Sequence, residues 1–115
     1  MRIHHLALRT LDVPRLAAFY RDVLGLPLAN HEDAPGRVWL QASGTVIMIE
    51  PRDASEPGPE RGSLDLVAFA IEPDERAGFV DRLVRAGIAI EGETAFTVYF
   101  RDPDGRRVGV SHYVF

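Results

Sequence analysis

The sequence predicts an α+β fold made of two consecutive strand–helix–strand–strand–strand modules. Three observations lead there. Short segments with period-two alternation flank two segments with helical spacing. A proline- and glycine-rich stretch, "PRDASEPGPERGS" at 51–63, separates two similar halves. Sliding the chain on itself by about 61 residues brings the halves into register, with His5-Leu6-Ala7-Leu8 on Leu66-Val67-Ala68-Phe69 and Gly44 on Gly105. The domain expectation is one domain over 1–115, with module one at 1–50, a linker at 51–63 and module two at 64–115.

In the first module, residues 3–9 alternate and read as a half-buried strand. Asp12 offers an N-cap and Pro14 fits a first helical turn. Leu16, Phe19, Tyr20, Val23 and Leu24 then recur at helical spacing until Gly25. "LPLANHE" at 26–32, "RVWLQA" at 37–42 and "TVIMIE" at 45–50 read as three strands. The second module begins with "LDLVAFAI" at 64–71. Pro73-Asp74 opens a helix carrying Phe79, Val80, Leu83 and Val84, closed by Gly87. Strands follow at 88–91, 95–101 and 107–114, the last two joined by Asp102-Pro103-Asp104-Gly105.

Composition bounds the function. The chain has 115 residues, 46% apolar and 26% charged, which suits one compact domain. With no cysteine, disulfides, thiolate metal sites and a cysteine nucleophile are excluded. No apolar run approaches the roughly 20 residues that span a bilayer. No signal peptide is visible, so the expected location is cytoplasmic and no membrane partner is expected. The net charge of -4, with no basic cluster longer than a pair, argues against a nucleic-acid partner.

"IHHLALRTLDVPRLAAFYRDVLGL", the linker and "VYFRDPDGRRVGV" resemble the vicinal oxygen chelate superfamily of glyoxalases, bleomycin-resistance proteins and extradiol dioxygenases. The resemblance implies sheets that curve around a ligand cavity, helices on the convex side, and a homodimer. It also implies a divalent metal held by ligands from the first and last strand of each module. Carried over residue by residue, those four positions are His5, Met48, Leu66 and Gly109. Only His5 can coordinate a hard divalent ion, whereas a catalytic site typically needs about three protein ligands. Glu50 lies two residues beyond Met48, roughly 7 Å along the strand. A reduced site built from His5 and Glu50 around one divalent metal ion is therefore the alternative to no cofactor at all.

If His5 faces the cavity, alternation assigns the same face to Ala7, Arg37, Trp39, Gln41, Val46, Met48 and Glu50 in module one. In module two it assigns Leu66, Ala68, Ala70, Thr97, Tyr99, Arg101, Arg107, Gly109, Ser111 and Tyr113. Alternation sends His4 to the helix side. His5, Arg37, Trp39, Gln41, Met48, Glu50, Leu66, Tyr99 and Ser111 form the expected ligand-binding set. The opposite face, including Leu6, Leu8, Val38, Leu40, Ile47, Ile49, Val67, Phe69, Phe100, Val108 and Val110, reads as core. The expected function is binding of a small molecule, with sequestration of an aromatic or cationic compound and without the usual metal. The alternative is a lyase, isomerase or dioxygenase using His5 and Glu50, either on the reduced metal site or as a metal-free acid/base pair. His31 and His112 read as structural.

Overall fold

The computed structural model describes residues 1–29 and 36–115. Predicted strand residues 30–32, with His31 among them, lie outside that set. The chain divides into two compact units, Met1–Gly58 and Pro59–Phe115. Each combines one helix with a mixed sheet, giving the α+β architecture expected.

The first unit contains β1 (His5–Thr10), α1 (Val13–Ala18), β2 (Val38–Ala42) and β3 (Thr45–Pro51). Asp12 caps α1 by accepting a bond from the Arg15 N–H at 3.1 Å. The helix continues as a π-helical turn over Phe19–Val23. The sheet order is β1-β3-β2, with β1 parallel and β2 antiparallel to β3. The predicted strand at 26–32 shrinks, within the described residues, to one bridge between Leu28 and Leu40. Two backbone bonds flank it, Ala29 N–H to Trp39 O and Gln41 N–H to Pro27 O. These carry the chain along the outer edge of β2.

The second unit contains β4 (Leu66–Ala70), a 3₁₀ turn (Pro73–Glu75), α2 (Arg76–Arg85), β5 (Gly92–Glu93), β6 (Thr97–Arg101) and β7 (Arg107–Ser111). Its order is β4-β7-β6-β5, with β4 and β7 parallel and the other pairs antiparallel. In both units the first strand therefore lies beside the last. The predicted strand at 88–91 begins instead at Gly92, with Glu91 N–H already bonded to Tyr99 O at 2.8 Å and Ile88 still bonded to the end of α2. Gly87, at φ 71°, donates to Val84 O, and Ile88 donates to Leu83 O. This glycine-centred cap closes the helix and delays sheet pairing. β7 ends at Ser111, short of the predicted 114. Beyond it, Tyr113 leaves the alternation and packs edge-on against Phe96 and Phe115.

Under each helix, alternate strand residues form the core. Leu8, Leu40, Ile47 and Ile49 are buried with Leu16 of α1, and Val98, Phe100, Val108 and Val110 with Phe79 and Leu83 of α2. The Phe79 and Phe100 rings lie 5.7 Å apart. Val67 departs from its predicted core role and is 37% exposed. β4 is an edge strand, so its helix-side residues have neighbours on one flank only. No helix of the described residues is long and apolar enough to cross a membrane.

Candidate functional site

The sheet faces opposite the helices carry the candidate residues. Paired residues on neighbouring strands share a face. In the first unit, β1 pairs His5 with Val46, Ala7 with Met48 and Arg9 with Glu50. β2 pairs Trp39 with Met48 and Gln41 with Val46. Alternation along β1, β2 and β3 thus assembles His5, Trp39, Met48 and Glu50 on one surface. The Trp39 ring centroid lies 6.1 Å from that of His5.

His4 departs from its expected helix-side placement. The strand begins at His5, so His4 precedes the alternation, and its Nδ1 approaches Nδ1 of His5 at 2.9 Å. The two rings meet edge to face. A bond between these nitrogens requires one to carry a proton and the other to offer its lone pair. The contact uses Nδ1 of His5 and leaves Nε2 as the second nitrogen of that ring.

His5 and Glu50 do not come together. The register sets them four residues apart along the parallel pair, roughly 13 Å at the usual strand rise. Glu50 is only 8% exposed, and its carboxylate is held from both sides. Arg9 Nη1 lies 3.0 Å from one oxygen and Arg37 Nε 3.3 Å from the other. Arg9 also makes a two-pronged pair with Glu56, at 2.9 and 2.8 Å. A turn places Glu56 there: Arg52 N–H bonds to Thr10 O, and Arg52 Nη1 donates to Glu56 O at 2.7 Å. The Arg9–Glu56 pair pulls the Glu56 carboxyl below its usual range and, with Glu50, raises the Arg9 guanidinium. The reduced His5–Glu50 metal site thus meets a carboxylate already occupied by two guanidinium groups. Among the described residues, no three of His, Cys, Asp or Glu are grouped to hold a metal ion.

Gln41 lies on the candidate face, but its side-chain amide folds back onto the adjacent hairpin. Nε2 donates to Ser43 O and, at 3.5 Å, to Thr45 O. Ser43 holds a left-handed backbone there, at φ 54°.

In the second unit, Leu66 pairs with Arg107, Ala68 with Gly109 and Ala70 with Ser111. Tyr99 sits across from Gly109, and Thr97 across from Ser111. Leu66 is 40% exposed. The Thr97 hydroxyl donates to Ser111 Oγ at 2.8 Å. Gly109 is tightly enclosed. A Cβ added there would lie 3.3 Å from Val98 O and 3.4 Å from both Leu66 Cδ1 and Thr97 Cγ2. The Arg107 guanidinium lies over the Tyr99 ring, 4.3 Å from its centroid. Glu91 accepts a two-pronged pair from Arg101, which draws its carboxyl below the usual range.

Arg9, Arg107 and Glu91 are absent from the expected ligand-binding set. Alternation already put Arg9 in phase with His5, so a charged residue on that face was the available signal. Glu91 gave no such signal, because a backbone bond to Tyr99 O of β6, at 2.8 Å, sets its position.

A family model for the glyoxalase/bleomycin resistance protein/dioxygenase superfamily matches residues 2–110. The chain is 32% identical, over 98% of its length and 85% of the relative's, to the virulence protein STM3117 of Salmonella typhimurium. A glyoxalase/dioxygenase structure from Nostoc punctiforme matches at 24% identity with a TM-score of 0.79, covering 95% of this chain and 88% of that one. The fosfomycin resistance protein FosX of Listeria monocytogenes matches in fold at 18% identity, with a TM-score of 0.82 and coverage of 98% and 92%. With the repeated module and its strand order, these matches establish that the chain belongs to the glyoxalase/bleomycin resistance protein/dioxygenase superfamily.

Proposed function

We propose that this protein binds a small aromatic molecule and works without the metal centre usual in its superfamily. The observation that carries this reading is the shared face of His5, Ala7, Met48 and Trp39. An indole beside a thioether and a methyl side chain offers a flat apolar wall, with imidazole as its polar handle. The donor set argues against a metal. Of the four positions that the superfamily resemblance assigns to ligands, Met48, Leu66 and Gly109 supply no hard donor. Glu50 does not make up the deficit, because Arg9 and Arg37 hold it. The same clamp favours an aromatic over a cationic ligand, since the carboxylate that would attract a cation is already neutralised. As an enzyme, the protein would rely on His5, with Glu50 too far along the strand to act as its partner. The proposed assembly is a homodimer.

Metal analysis of protein purified without chelator tests the reading directly. The expected result is substoichiometric divalent metal, unchanged in His5→Ala. A stoichiometric ion lost in His5→Ala would overturn it. Native mass spectrometry should recover a bound organic compound, and that compound should change Trp39 emission. An unchanged spectrum at saturation would remove Trp39 from the site. Light scattering at micromolar concentration should give a dimer mass.

A further inference from the structure

We propose that the open face of the second unit carries an anion site, with Arg107 as its charged ligand, for a carboxylate on a flat apolar body. This rests on the small-molecule reading above and specifies the class of ligand.

Charge on this face is unbalanced. Arg101 is fully engaged. It grips both oxygens of Glu91 and donates through Nη1 to Ser63 O at 2.7 Å and Gly105 O at 3.3 Å. Arg107 shares the same carboxylate only at a distance, with Nε 3.3 Å from Oε1. That nitrogen is buried and forms no hydrogen bond. Beyond this long pairing with Glu91, no acceptor among the described residues takes a hydrogen bond from Arg107, and its side chain is only 21% exposed. Two guanidinium groups therefore face one carboxylate, which the other arginine already takes in both prongs. A largely desolvated guanidinium with a single long, shared pairing is costly, and an incoming oxyanion relieves that cost.

The surroundings define the rest of the ligand. The Tyr99 ring lies under the guanidinium, 4.3 Å from Cζ to the centroid, a cation–π support that suits a planar fork meeting a planar carboxylate. Next to Arg107 along the sheet, exposed Ala68 offers a surface without a long side chain, beside a Gly109 that the Leu66 and Thr97 side chains enclose. A flat body can lie on that surface. One more row along, roughly 13 Å from Arg107 at the usual strand rise, the Thr97–Ser111 hydroxyl pair offers a polar end stop.

The test titrates the full-length, ¹⁵N-labelled protein with 2-naphthoate and, separately, 2-naphthylmethylamine. The Arg107 Nε–H resonance, assigned by its loss on substitution, should move with the carboxylate and not with the amine. Arg107→Gln should weaken 2-naphthoate on the order of tenfold or more, the scale of a lost charged hydrogen bond. Arg107→Lys keeps the charge but loses the stacked fork, and should bind with intermediate affinity. It also preserves the test if Arg107→Gln fails to fold. Arg85→Gln, at an exposed helix position paired with Asp81, should bind like wild type. Equal binding by wild type and both Arg107 variants overturns the proposal, as does preference for the amine. If Trp39 emission responds while Arg107 stays silent, the anion site fails and the small-molecule reading stands. Silence of both probes overturns the anion site and leaves the earlier reading to its own ligand recovery.

Discussion

Replacing Glu50 by glutamine separates a closed structural clamp from a cation-binding carboxylate. The substitution keeps shape and volume but removes the charge that holds Arg9 and Arg37. Bonds between a charged carboxylate and its partners contribute about 1.5–3 kcal/mol when partly buried. Here the carboxylate side is 11% exposed, but the two arginine side chains are 45% and 38% exposed. Solvent rehydrates them after the change, and Arg9 keeps Glu56, so the lower end, about 1.5 kcal/mol, applies. For a chain of this length, with an unfolding entropy of about 2.1 cal/mol/K per residue, that corresponds to a fall in Tm of about 6 °C. Thermal melts at pH 7 measure it. Titration with 2-naphthylmethylamine measures the other half, and affinity for the amine should not fall. Combining the change with Arg37→Gln should be less than additive, because both act on one contact. A variant with unchanged Tm and lost affinity for the amine would refute the clamp and restore Glu50 as a ligand group.

Two further outcomes follow from the packing and the charge pairs. Phe100→Ala empties a fully buried position against Phe79 and should cost about 3–5 kcal/mol, read from urea midpoints. A loss under 1 kcal/mol would place Phe100 outside the core. Acid should weaken the fold through Glu56 and Glu91, whose folded-state values lie below the ordinary 4.5 because of Arg9 and Arg101. Their contribution is complete above the unfolded value and disappears as pH falls below about 4.5 through the folded values. The urea midpoint should therefore drop between pH 5 and pH 3, and a flat profile would remove these pairs from the stability balance.

Much of the fold was readable because it depends on local rules. Asp12, Gly87 and the Asp102–Gly105 turn act on their own neighbours, and alternation alone sorted Leu8, Leu40, Ile49, Phe100 and Val108 into the core. The errors arose where a distant or adjoining element decided the outcome. Val67 has the right parity for burial, but an edge strand lacks a second flank. His4 was assigned by alternation although the strand starts one residue later. The site was less legible than the fold for the same reason. Glu50 could be placed on the correct face from sequence, but its partner Arg9 lies 41 residues away, and Arg9 is in turn 47 residues from the Glu56 that shares it. Nothing local to "TVIMIE" announces that its carboxylate is already bound.

That hidden pairing changes what the acidic residues of the candidate faces mean. Taken by itself, a carboxylate beside Trp39 argues for a cationic ligand. Once paired, it becomes part of a framework: Glu50 lies between Arg9 and Arg37, and Glu91 between Arg101 and Arg107. The two arrangements differ in balance. In the first unit, Glu56 joins Glu50, so two carboxylates meet two guanidinium groups. In the second, among the described residues, Glu91 alone meets two, and Arg107 is left with one long pairing that Arg101 shares. The overall charge of -4 does not predict this, because an ion-pair site responds to the few groups within a Debye length of roughly 8–10 Å. Ligand charge is therefore set face by face. The first unit offers a neutralised aromatic wall, and the second a guanidinium still in need of an oxyanion.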